Sequence, residues 1–158
     1  MRAFTIETAQ IKPFMRRLLR DSDFDLYGVR SVELTLLMHI SVSGLLVDDN
    51  EETQGKKYAS WGALRPLVND LIMRDKNVKP RLLKVVFSHP NPEEVHSNAA
   101  ALFLNFVYEK DAITFTTAVA QKEFVLDKSL DATWDEKVRH FFAGMGIEVT
   151  DKIGDLPS

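Results

Sequence analysis

The chain has 158 residues, 45% hydrophobic and 27% charged, with a net charge of −3. That composition suits one folded domain with a sizeable core, and it excludes disordered, collagen-like and coiled-coil classes. The weak net charge gives no bulk argument for nucleic acid or membrane, and the absence of cysteine excludes disulfides, thiol catalysis and cysteine-ligated metal centres.

Met1–Glu7 carries one basic residue and no apolar block follows it, so no targeting signal is expected. No apolar run approaches the ~20 residues of a membrane span, and a cytoplasmic protein with no membrane partner is expected. Residues 2–6 predict a short strand. Thr8 is placed to cap a helix over 9–20, whose apolar positions Ile11, Phe14, Met15, Leu18 and Leu19 recur at spacings of three and four. Pro13 is tolerable there only near the first turn. Asp21-Ser22-Asp23 ends that helix.

Residues 32–42 alternate strictly, with Val32, Leu34, Leu36, Met38, Ile40 and Val42 on one side. This predicts one long half-buried strand, or two joined by a bulge, with Val32 to Ile40 buried together. Residues 48–55 are an expected acidic surface loop. Their carboxylates could bind a cation, but an EF-hand's glycine and closing glutamate are missing. Lys57-Tyr58-Ala59 is a short strand candidate. Ser60 caps a helix over 61–74, with Leu64, Leu67, Val68, Leu71 and Ile72 facing inward.

Leu82–Phe87 predicts a strand. Asn91-Pro92-Glu93-Glu94 starts a short helix ending near Ala99. Residues 102–108 and 113–117 predict two strands joined by a turn at 109–111, and 123–126 a further strand. Thr133 and Glu136 have the spacing of a capping box opening a helix over 134–143, stopped at Gly144 or Gly146. The whole is an α+β fold: a curved antiparallel sheet with three main helices packed on it. One domain spans 1–148 with a tail at 149–158. Two degenerate half-units, 2–74 and 82–144, are expected, each with a hydroxyl residue followed by tryptophan (Ser60-Trp61, Thr133-Trp134).

Ser60-Trp61 with Leu64-Arg65-Pro66, Phe115-Thr116-Thr117 to Phe124, and Asp127-Lys128-Ser129-Leu130 leading to Trp134-Asp135 resemble a small family of unknown function from anaerobic Firmicutes. The resemblance covers nearly the whole chain and implies no activity. The element order also resembles one domain of the bacterial DNA polymerase sliding clamp. That resemblance uses Phe4-Thr5-Ile6, the helix at Lys12-Pro13-Phe14, the strand 32–42, Tyr58 to Ile72, and strands 82–88, 102–109 and 112–126. It lacks the clamp's first hairpin and adds helices at 92–98 and 134–143. It implies a clamp-like fold and no more.

Function is less legible. Lys12, Arg16 and Arg20 stand four apart, with Arg17 beside them, and the first helix has no acid between Thr8 and Arg20. Such a stripe can lie along phosphates without reading bases; its ordinary alternative is a solvated face suited to the helix dipole. Arg74 and Lys76 head a second basic cluster. His89, His96, Glu93 and Glu94 offer metal-ligand types, giving the alternative of a small enzyme with a His/Glu site, although the spacing fits no metal motif. His39, beside Glu33 and Ser41, is expected at the surface. No Gly-x-Ser-x-Gly or phosphate loop is present. The leading reading is a non-enzymatic binding module without metal or cofactor, whose partner is a protein, a second copy, or weakly held nucleic acid.

Overall fold

The computed structural model describes residues 1–47 and 56–152. In chain order it comprises β1 (Ala3–Ile6), α1 (Thr8–Arg20), β2 (Gly28–Thr35), β3 (His39–Ser43), α2 (Trp61–Met73), β4 (Leu82–Ser88), α3 (Pro92–Val95), β5 (Ala99–Glu109), β6 (Ala112–Gln121), α4 (Ser129–Gly144) and β7 (Val149–Asp151). All seven strands join one open antiparallel sheet in the order β3-β2-β4-β5-β6-β1-β7. This is the α+β architecture read from the sequence.

Period-two alternation sorts the sheet into two faces. One cross-strand row runs Val42, Val32, Val85, Phe106, Phe115, Phe4. Most of that row is fully buried, and α1, α2 and α4 pack over it. Phe14 of α1 meets Phe106 and Phe115, Trp61 of α2 meets Phe87, and Phe142 of α4 meets Phe115. The opposite face carries Glu33, Lys84, Val107, Thr114 and Thr5 in its matching row. Both tryptophans are buried anchors, with Trp61 Nε1 donating to the Leu18 carbonyl and Trp134 Nε1 to that of Phe103.

Several expectations need correction. Residues 32–42 form a hairpin, not one strand. Thr35 pairs with His39 around a three-residue turn, so Leu34 lies opposite Ile40 and Val32 opposite Val42. An odd-length turn preserves the alternation, because paired residues differ by an even number. Met38 falls in the turn and is 67% exposed. The strand also begins earlier, at Gly28, because a bulge at Arg30 breaks the alternation between Val29 and Ser31. Tyr58 contributes only a single bridge, to Leu45.

The helix ends shift as well. Thr8 is the first helical residue rather than the cap, and Pro13 lies past the first turn, as the sixth residue of α1. Ser60 caps α2 as expected, accepting from the Ala63 N–H, but Leu67 faces solvent. Asn91 makes no capping bond and α3 ends at Val95. α4 starts at Ser129, a turn before the expected capping box, and the Thr133 hydroxyl donates back to the Ser129 carbonyl. The tryptophan starts of the two expected half-units therefore do not share a cap.

α4 closes with Gly146 at φ +73, the Ile147 N–H reaching the Phe142 carbonyl and the Gly146 N–H that of Ala143. Segment 123–126 is a loop, with Phe124 and Leu126 exposed. Val149–Asp151, placed in the tail by the sequence reading, pairs with β1 at the sheet edge. The acidic segment 48–55 and residues 153–158 lie outside the described residues.

Candidate functional site

α1 is the middle helix of the layer. On one side the Trp61 indole and Arg65 Nη1 of α2 bond the Leu18 and Arg20 carbonyls. On the other, Phe14 faces Phe142 of α4. With Ile11, Phe14, Leu18 and Leu19 buried beneath it, the helix turns Lys12, Arg16 and Arg20 outward along its crest. Eight residues at 1.5 Å each spread these cations over about 12 Å. None of the three has an ion-pair partner among the described residues.

Arg17 does not belong with them. Its Nη1 donates to the Met145 carbonyl at 2.6 Å, setting a cation on the negative end of α4. Its partner is 128 residues away, beyond the reach of helical periodicity. Arg74 and Lys76 are exposed just past α2. Because α2 runs opposite to α1, they stand at the end of the sheet where α1 begins. Arg65 has a positioning role: it forks onto Asp25 at 2.9 and 3.0 Å and so ties the α1–β2 connection to α2.

The proposed His/Glu constellation is not assembled. Glu93 is held by Lys122, which lowers its carboxyl pKa. The His96 ring bonds the Ser129 hydroxyl, and its Nδ1 accepts from the Asn98 N–H. His89 packs edge-on against Tyr27 and Trp134, and its Nδ1 accepts from the Asn91 N–H. Burial lowers the His89 pKa, and nearby Lys137 lowers it further. Among the described residues no three ligand-type side chains gather around a metal position.

A polar cluster does form on the β2–β3 hairpin. Thr35 Oγ1 and His39 Nδ1 are hydrogen-bonded at 2.8 Å, His39 Nε2 meets Glu33, and Ser41 Oγ donates to Glu33 at 2.8 Å. The Ser41 bond is the main influence lowering the Glu33 pKa. Glu33 and Ser41 face the same ring nitrogen, whereas a serine–histidine–acid relay needs the acid on the other one. With His39 exposed, the cluster fastens the hairpin. Only the cross-strand pairing absent from the long-strand reading brings these groups together.

The chain is thus an open-faced α+β domain with a basic crest on its helical side. It belongs to a family of unknown function (DUF5721), whose model matches residues 17–150. No curated protein and no solved structure matches the chain significantly.

Proposed function

We propose that this protein is a binding module and that the crest of α1 takes a polyanion through its phosphates. One observation carries this reading: Lys12, Arg16 and Arg20 are exposed in line on the middle helix, with no carboxylate paired to any of them among the described residues. Arg74 and Lys76 support them from the end where α1 begins. Contacts to phosphate orient a protein without selecting sequence, so no base preference is expected. A cytoplasmic location goes with this proposal, and no helix among the described residues is long and apolar enough to cross a membrane. The clamp resemblance adds nothing to it, since segments 32–42 and 123–126 are not built as that element order assumed.

Three phosphate contacts on duplex DNA give a salt slope of about −2.7, which is roughly a 40-fold loss of affinity between about 50 and 200 mM salt. The test is an anisotropy titration of a labelled duplex at both salt concentrations, with wild type beside Arg16→Glu/Arg20→Glu. Salt-sensitive binding that the reversed variant loses supports the reading. No binding at low salt, or equal binding by the variant, overturns it.

A further inference from the structure

The registers of β4, β5 and β6 define two opposite ends of the sheet: Ser88 and Gln121 lie at one, Leu82, Glu109 and Ala112 at the other. At the first end the loop after β6 presents Phe124 and Leu126, 84% and 83% exposed. The backbone beneath them is fixed. The Asn98 side-chain amide donates to the Glu123 carbonyl and accepts from the Glu123 N–H, at 2.9 and 3.0 Å. The Gln121 amide does the same for Val125, at 3.3 and 3.1 Å. Two side-chain amides thus hold alternate residues of the loop, and the two apolar side chains between and beyond them are offered from an ordered chain. Preorganisation of this kind reduces the entropy lost on association.

The rim of this end is acidic on balance, with Lys128 an exposed cation beside Phe124 and Val125. Glu94, Glu123 and Asp127 have no ion-pair partner among the described residues, whereas Lys122 is occupied by Glu93. The opposite end has the reverse character. The β2–β3 turn exposes Leu37 and Met38, and the Arg81 N–H donates to the Thr35 carbonyl, so the α2–β4 connection lies against that turn. That connection carries Arg74, Lys76, Lys79 and Arg81, all exposed and none ion-paired among the described residues. Its one carboxylate, Asp75, accepts from the Asn77 N–H, and the β5–β6 turn at the same end adds Glu109 and Asp111 beside Lys110, so cations still outnumber carboxylates there.

We infer that copies of this chain associate head to tail, the Phe124/Leu126 loop of one docking on the Leu37/Met38 turn of the next. Each end pairs exposed apolar side chains with a rim of one net sign, and the two net signs are opposite. Like ends repel and unlike ends attract, which selects a heterologous contact over a two-fold one. A flexible methionine beside leucine can reshape around an inserted ring. The contact leaves each copy one free end, so it closes into a ring or continues as a filament according to the rotation it imposes. The inference shares Arg74 and Lys76 with the polyanion reading but does not use Lys12, Arg16 or Arg20, so the Arg16→Glu/Arg20→Glu variant tells the two apart.

Sedimentation equilibrium of the whole protein tests it at low and high salt. Wild type should exceed the 18.0 kDa monomer mass increasingly with concentration at low salt, and less so at high salt. Phe124→Ser/Leu126→Ser and, separately, Arg74→Glu/Lys79→Glu should each weaken association at least about tenfold, whereas Arg16→Glu/Arg20→Glu should not. The positions are exposed, and unchanged far-ultraviolet spectra and melting temperatures show that the variants fold. Mixing the first two variants is decisive, because each retains the end the other has lost. Equimolar mixing should restore a heterodimer that grows no further. A monomeric wild type at every concentration overturns the inference. So does association indifferent to both variants, or a mixture that stays monomeric while wild type associates.

Discussion

Phe14 is the side chain on which the sheet, α4 and the α1–β2 connection meet, and its removal should be the most damaging single truncation in α1. It is fully buried. Its ring lies edge-on to Phe24 and Phe115, at centroid separations of 5.7 and 5.2 Å, and also faces Phe106 at 5.7 Å and Phe142 at 6.4 Å. Phe14→Ala leaves a cavity bounded by the sheet, α4 and the α1–β2 connection, which cannot collapse together. Burial of this kind sets the loss at about 3–5 kcal/mol. For a chain of this length that lowers the melting temperature by roughly 8–16 °C. Urea denaturation followed by tryptophan fluorescence measures it, since Trp61 and Trp134 are both buried and report from different parts of the layer. Phe14→Leu should lose clearly less, and Phe124→Ala under about 0.5 kcal/mol because that ring is already in water. A loss below about 1 kcal/mol for Phe14→Ala, or a loss no larger than that of Phe124→Ala, would refute the packing described.

Three further outcomes follow from backbone geometry and burial. A Cβ at Gly44 would stand 1.7 Å from the Val29 carbonyl oxygen; Gly44→Ala should meet or exceed the roughly 1–3 kcal/mol typical of overpacking, read as a fall in urea midpoint. Lys110 and Asp111 have φ of 53° and 57° in the two-residue β5–β6 turn, so Lys110→Asn should raise stability by about 0.5–1 kcal/mol in the same assay. His89 has its pKa lowered, chiefly by burial, so the fold favours its neutral form and the unfolded chain binds the proton first as pH falls. Stability should be complete above about pH 6.5 and decline below it, and His89→Gln should flatten urea midpoints measured from pH 7 to 5. An unchanged slope in that variant would contradict the assigned burial.

The crest of α1 was legible because its cause is local. Once Ile11, Phe14 and Leu18 turn inward, a 3.6-residue period leaves Lys12, Arg16 and Arg20 outside. Arg17 was not legible as a structural residue, since its carbonyl partner comes from the far end of α4. The same limit applies to Thr133. Its spacing to Glu136 fits a cap, but Leu130 is buried one turn earlier and extends the helix back to Ser129. The His/Glu set failed for a related reason. Sequence proximity put four ligand-type side chains within eight residues, while three of them found different partners, Lys122 for Glu93, Ser129 for His96 and aromatic edges for His89, and Glu94 faces solvent.

The two largest departures from the sequence reading have one physical origin. Alternation records which face a side chain takes and says nothing of whether the chain continues or turns back. At 32–42 it passed unbroken through a turn without glycine, proline, asparagine or aspartate. At 123–126 the side chains of Asn98 and Gln121 take the backbone hydrogen bonds that a neighbouring strand would supply. In both segments apolar residues that a strand would have buried are left in solvent: Leu37 and Met38 at one end of the sheet, Phe124 and Leu126 at the other. The core closes without them, on fully buried side chains from the sheet and the three long helices. Exposed apolar side chains on constrained backbone contribute nothing to that core, and their position at opposite ends with rims of opposite net charge suits the repeating contact inferred between copies.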